Sequence, residues 1–304
     1  MEELVREIET EDIPKLKELL EEVFGNGEWA QIERLGGMTN HSYKITRYDN
    51  CEYLVRIPGE GTEEMINRAD ERKSTELGCK LGIDSPLIYF NEDGRKVMRF
   101  IHDPQPMSEE VMRRKENLIQ AAAIFRKLHT CGVDTGVRFE VFEMAKLYER
   151  IIRDGGVDLY EDYNDVKQTV MDIKAEVDKG GVAPKVPCHN DSLIGNWVLD
   201  NEGRLYLIDW EYSGMNEAMW DLSCLSIEAD YKRENDIDLL TAYYGREPSK
   251  EEEKRFIAAK LYVDYLWTLW GLTRVPYDGE FMQGYADNRY DRLKKNIAAY
   301  KSIS

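Results

Sequence analysis

No stretch of this chain approaches the ~20 uninterrupted apolar residues that a membrane span requires. The opening segment, MEELVREIETEDIPKLKELLEEVF, carries charge from its second residue onward, unlike a targeting sequence. A soluble, untargeted protein is expected. Thiols are also sparse: Cys51, Cys79, Cys131, Cys188 and Cys224 are odd in number and widely spread, with no CxxC pair to hold zinc or form a redox disulfide. A reducing cytoplasm suits them. Positive charge is deficient, with 41 Lys and Arg against 59 Asp and Glu for a formal charge of −18. Such a surface repels polyanions and attracts cations, which excludes nucleic acid and accommodates a cationic small molecule. Solubility alone is the plainer reading of the carboxylates. There is no internal repeat, and the charged run Lys250–Arg255 reads as a solvated helix face.

What is present is enough chain for two lobes: 304 residues, 42% hydrophobic. Asp12 and Pro14 predict a helix start, and Leu16, Leu19, Leu20 and Val23 follow at helical spacing, so an amphipathic helix over about 12–24 is expected. Strand patterns at Ala30–Leu35, Ser42–Arg47 and Glu52–Ile57 predict an antiparallel meander, its first turn built from Gly36, Gly37, Met38, Thr39 and Asn40. A helix within Thr62–Gly82 and two more strands, Leu87–Phe90 and Lys96–Ile101, complete the first lobe. Pro104 and Pro106 mark the boundary, giving lobes of 1–103 and 104–304. The second lobe reads as helices at Glu109–His129, Val141–Arg153 and Asp162–Lys179. Two short strands, Trp197–Leu199 and Leu205–Ile208, come next, with helical text from about Asn216 onward. Ser249 with Glu252 forms a capping box for a helix to Leu272. The fold class is α+β, with a small sheet-bearing lobe and a large helical one.

The chemistry concentrates in Cys188-His189-Asn190-Asp191-Ser192-Leu193-Ile194-Gly195-Asn196, followed by Asp209 in Leu207-Ile208-Asp209-Trp210-Glu211. A loop carboxylate can orient a hydroxyl or accept its proton, while an amide oxygen and a second carboxylate are hard ligands for the Mg²⁺ of ATP. Asp191, Asn196 and Asp209 fit those roles in that order, and a hairpin between the last two would bring them together. Each alone is an ordinary loop residue; the set is informative. His189 has no second His or Cys at ligand spacing and reads as a buried structural imidazole.

The ordered segments GGMTNHSYKI, YLVRIPG, VMRFI, CHNDSLIGN, LYLIDWEYSGMNEAMWDLS and DYLWTLWGL resemble the choline/ethanolamine kinase family, in particular its bacterial LicA-like branch. The resemblance runs from Gly36 to about Tyr290 and implies a bilobal protein-kinase-like fold with ATP in the cleft between lobes. By it, Asp191 is the catalytic base or hydroxyl-orienting group, and Asn196 and Asp209 hold Mg²⁺. Arg56 lies near the nucleotide phosphates and pairs with Glu71, with Glu64 and Glu76 as competitors. Arginine at this position departs from the lysine of protein kinases, but its planar fork suits phosphate and carboxylate together. Gly37, Thr39 and Asn40 line the phosphates, although any hairpin turn could use such residues. Arg99, Phe100 and Ile101 border the adenine. Asp221 braces the catalytic loop as a structural residue. Ser192-Leu193-Ile194-Gly195 is less hydrophobic than the stretch common in relatives, which implies altered loop packing at unchanged length.

On the substrate side, Trp267, Trp270 and Tyr285, with Glu228 and Tyr231, match the family's choline pocket. A quaternary ammonium has no N–H to donate and is held by π-faces. Two tryptophans three apart on a helix otherwise read as core. The resemblance implies a choline kinase using ATP and Mg²⁺, with ethanolamine kinase or an aminoglycoside-type phosphotransferase as alternative, and a non-catalytic pseudokinase as a remote one. No nucleic acid, membrane insertion or protein partner is implied.

Overall fold

The apolar stripe Leu16, Leu19 and Leu20 needs a surface to cover it, and the sheet that follows supplies one. The computed structural model describes residues 9–36, 40–59 and 65–303. Helix α1 (Asp12–Phe24) buries those leucines against Tyr43, Ile45, Tyr53, Val55, Ile57 and Val97. The helix starts at Asp12 as expected, although Asp12 is not its cap. It is the first helical residue, buried, accepting a bond from the Tyr43 hydroxyl (2.8 Å) with the Nδ1 of His41 2.6 Å away. The sheet comprises β1 (Gln31–Arg34), β2 (Asn40–Thr46), β3 (Glu52–Pro58), β4 (Leu87–Phe90) and β5 (Lys96–Arg99), in the order β1-β2-β3-β5-β4 with every pairing antiparallel. Asn40, expected in the turn, opens β2 opposite Pro58. Helix α2 (Arg68–Lys80) starts later than the Thr62 expected, at an Asn67 cap whose side chain accepts from the Ala69 and Asp70 amides.

The chain forms two compact units: residues to Pro106 with Asn196–Tyr212, and Met107–Gly195 with Ser213–Ser304. The expected single boundary at 103/104 therefore omits an excursion. In the second unit the expected helix Glu109–His129 is two, α3 (Glu109–Met112) and α4 (Lys115–His129), followed by α5 (Val141–Asp154), α6 (Tyr163–Lys179) and a strand missed in sequence, β6 (Lys185–Cys188). The hairpin β7 (Trp197–Leu199) and β8 (Leu205–Leu207) belongs to the first unit. There Gln105 donates to the Leu199 carbonyl (2.7 Å) and the Leu207 amide to Ile83 (3.2 Å). Back in the second unit, Asn216 opens no helix. It lies in β9 (Gly214–Glu217), paired with β6, before α7 (Ala218–Glu228) and α8 (Arg233–Tyr244).

Helix α9 (Lys250–Ile303) starts with the expected capping box: the Glu252 amide donates to Ser249 Oγ (3.2 Å) and the Ser249 amide to the Glu252 carboxylate (2.7 Å). It continues past Leu272 to a kink with Pro276 and with Gly279 at φ 59°, ψ −138°. Buried Asp264 before the kink ties the two arms, taking bonds from Arg292 (2.7 Å) and Asn296 (2.9 Å) beyond it. This return places Tyr285 beside Trp270 and Arg289 beside Asp264. Among the described residues no helix is long and apolar enough to cross a membrane.

Candidate active site

Directly opposed residues of antiparallel strands point to one side of a sheet, so the β3–β5 register puts Arg56 and Lys96 together. Both are buried beneath α2, where Glu71 meets Arg56 at 2.5 Å, Arg68 at 2.7 Å and Lys96 at 3.3 Å. Glu71 is thus the partner of Arg56; Glu76 pairs instead with Arg72, and Glu64 lies outside the described residues. Burial alone pushes the Glu71 carboxyl up, but Arg56, Lys96 and Arg68 outweigh it and hold its pKa at about 2.

Arg56 also donates to Asp209 at 3.0 Å. Asp209 is partly exposed and has φ 65°, in the left-handed region. Its neighbours fix that backbone. Trp210 is fully buried and donates to Asp84 (3.0 Å), and its ring stands where a Cβ on Gly78 would be, 2.3 Å away. Glu211 accepts from the Asn40 amide (3.0 Å) and Arg68 (3.3 Å). Burial and then the adjacent Asp209 charge raise its pKa, against the pull of Arg56. Asn196 ends a short 3-10 turn (Ile194–Asn196), and the β7–β8 register returns the chain so that the Ile208 amide donates to the Asn196 carbonyl (2.9 Å). The first unit thus brings together Arg56, Glu71, Asn196 and Asp209, with Lys96, Asp84 and Glu211 added. In the sequence Lys96 only opens the strand Lys96–Ile101, and the register with Arg56 is what reveals it.

Asn40 turns its amide to Glu211, and Gly37 and Thr39 lie outside the described residues. The backbone donors of Arg99 and Phe100 serve the sheet, bonding Pro86 (2.9 Å) and Glu52 (3.2 Å), and the Arg99 guanidinium lies over the Tyr53 ring (5.1 Å). Ile101 follows, half-buried.

In the second unit, Asp191 sits in a loop held on both sides. Asp221 accepts from the amides of His189 (2.8 Å) and Asn190 (2.7 Å), while Trp220 donates to the Asn190 carbonyl (2.9 Å). Asn216 donates to the Asn190 side chain (3.0 Å), and Asn190 has φ 69°. Asp221 also faces Nε2 of His129 (3.0 Å), whose Nδ1 is 2.9 Å from the Tyr243 hydroxyl. His129 was missed in sequence, because a histidine ending an amphipathic helix carries no signal of its own. His129, Cys188 and Asp221 lie within ligand distance of one another, but both Asp221 oxygens already hold the loop amides. This cluster is a brace. His189 is fully buried, as expected.

The aromatic residues meet edge to face: Trp267 and Trp270 at 5.9 Å, Trp270 and Tyr285 at 5.7 Å. Gly271 makes room for this, since a Cβ there would lie 2.8 Å from Tyr285 Cδ1. Burial raises the Tyr285 phenol, and the Glu228 and Asp191 charges raise it further, so Asp191 shares this neighbourhood. Glu228 is paired with Arg289 at 2.5 Å. Tyr231 is buried, and its hydroxyl donates to the Met112 carbonyl (3.1 Å). A cavity of about 400 Å³ is lined by Glu228, Tyr231, Lys260, Arg292 and Asn296.

The sequence profile of the choline/ethanolamine kinase family matches residues 32–298. The crystal structure of choline kinase LicA from Streptococcus pneumoniae superposes with TM-score 0.83 at 31% identity, covering 96% of this chain and 100% of that one. Protein LicA of Haemophilus influenzae is 26% identical over 86% of this chain and 78% of its own. A probable ethanolamine kinase of Arabidopsis thaliana is 25% identical over 93% of this chain and 85% of its own. The fold is kinase-like, with an antiparallel sheet in one unit and mostly helix in the other.

Proposed function

The chain belongs to the choline/ethanolamine kinase family and is an ATP-dependent phosphotransferase acting on an alcohol, and we propose that its acceptor is choline, phosphorylated on its hydroxyl to phosphocholine. The observation that carries this reading is the edge-to-face series Trp267, Trp270, Tyr285 in the electrostatic reach of Asp191. Aromatic faces attract a quaternary ammonium, and a carboxylate within reach of the same pocket can orient the hydroxyl two carbons away.

In this reading Asp191 accepts or orients the hydroxyl proton, steadied by the loop that Asp221 and His129 brace. Asn196 and Asp209 offer one amide and one carboxylate oxygen, a hard donor set that fits Mg²⁺ and suits no soft metal. Mg²⁺ held there would neutralise charge on the phosphates. Arg56, held by Glu71, Asp209 and the Gly94 carbonyl, would supply positive charge for the nucleotide phosphates. The partly exposed Asp209 carboxylate, with Arg56 and Lys96 near it, is the point at which metal and phosphate charge would be balanced.

Ethanolamine is the second reading, favoured by the Glu228 carboxylate beside Tyr285. Replacing Trp270 tests the cage. Trp270→Ala is expected to raise the KM for choline about tenfold or more while leaving the KM for ATP within threefold, as loss of a desolvated cation–π contact of about 2 kcal/mol requires. A tryptophan acting only as core would instead lose roughly 3–5 kcal/mol of stability and weaken both substrates together.

A further inference from the structure

Arg289 is buried on the arm of α9 beyond the kink. Its guanidinium lies over the Tyr285 ring, 4.7 Å from the centroid, pairs with Glu228 at 2.5 Å and reaches Asp264 at 3.5 Å. Asp264 already holds Arg292 and Asn296, so Glu228 is the principal counter-charge of Arg289. One aromatic face and the one carboxylate of α7 that faces the cage are therefore already engaged by a cation of the chain itself.

We propose that Arg289 determines amine specificity: by neutralising Glu228 and covering one face of Tyr285, it takes that carboxylate away from the amine and leaves the aromatic faces to hold it, which favours quaternary over primary ammonium. This rests on the amino-alcohol reading above. A primary ammonium has three N–H donors and approaches a carboxylate to about 2.8 Å. A quaternary ammonium has none, and its methyl groups hold the nitrogen farther from any oxygen. A carboxylate already bound by arginine offers the primary amine little for the hydration it loses. The methyl groups of the quaternary ion gain burial and cation–π attraction instead.

The test compares wild type with Arg289→Lys, Arg289→Met and the double variant Glu228→Gln/Arg289→Met. Each is measured for kcat/KM on choline and ethanolamine, and for tryptophan fluorescence titrated with tetramethylammonium and methylammonium in the absence of nucleotide. Arg289→Met exposes the Glu228 charge, and the choline-to-ethanolamine ratio should fall at least tenfold, with the affinity ratio of the two cations moving in parallel. Arg289→Lys should restore most of the wild-type ratio. The double variant removes both charges together, and its choline-to-ethanolamine ratio should return to within threefold of wild type; it also serves if Arg289→Met does not fold. An unchanged ratio in folded Arg289→Met, or a ratio in the double variant that stays tenfold below wild type, overturns the proposal. A wild type that transfers phosphate to neither alcohol, yet binds tetramethylammonium and shifts as described on losing Arg289, overturns the choline reading alone. Binding of neither cation overturns both.

Discussion

Asp191 is half-buried in a loop whose preceding residues are fixed by five hydrogen bonds to Asp221, Trp220, Asn216 and the Gly214 carbonyl. Asp191→Ala removes a positioned group without touching that scaffold, so kcat should fall at least about 100-fold while nucleotide affinity measured by calorimetry stays within threefold. Asp84 poses a different question. Burial pushes its carboxyl from 3.8 up to about 7, with Lys96 opposing. A folded-state pKa raised above the unfolded one means that the native state binds the proton more tightly. Stability is therefore greatest below about pH 4 in this respect and declines as pH rises toward about 7, by up to roughly 1.4 kcal/mol per pH unit in that window. Asp84→Asn keeps an acceptor for Trp210 and should flatten that part of the melting-temperature profile; an unchanged slope between pH 4 and 7 would remove Asp84 as its source. In the sequence, Asp191 and Asp209 were recognisable as candidates because acid, amide and acid occur in order in loop text. Asp84, Lys96 and His129 were not, since their importance arises from strand register and helix packing that local pattern does not encode.

At the scale of elements, the position of the Tyr285 ring depends on one helix arm returning along another, and Gly271 is the point of closest approach. Gly271→Ala would force the Tyr285 ring aside, at a cost of about 1–3 kcal/mol for overpacking. We expect the KM for the amine to rise about tenfold, the KM for ATP to stay within threefold, and the melting temperature to fall by a few degrees; unchanged amine KM would mean that Tyr285 lies outside the substrate pocket. The strands β1 to β5 and helices α5 and α6 were legible from alternation and helical period, their ends shifting by a few residues. The single helix Glu109–His129 divides at Arg113–Arg114, and β6 and β9 were missed. Lys185-Val186-Pro187-Cys188 is too short and carries a proline, and Gly214-Met215-Asn216-Glu217 shows no alternation; pairing with each other is what makes them strands. The kink at Pro276 and Gly279 was also unread, because helical pattern continues on both sides.

For the whole molecule, a formal charge of −18 repels free nucleotide as well as nucleic acid, so the local cations Arg56, Arg68 and Lys96 have to reverse that field around Glu71 and Asp209. The same charge favours a cationic acceptor, which both choline and ethanolamine satisfy; in the proposed reading the choice between them belongs to the aromatic series and the paired Glu228. The most direct measurement is therefore the steady-state kinetics of the purified wild-type chain with ATP and Mg²⁺ on each alcohol. We predict phosphocholine as the preferred product, with kcat/KM for choline at least about tenfold above that for ethanolamine, the ratio that one desolvated cation–π contact supplies. Equal or inverted values would contradict a cage selective for quaternary ammonium.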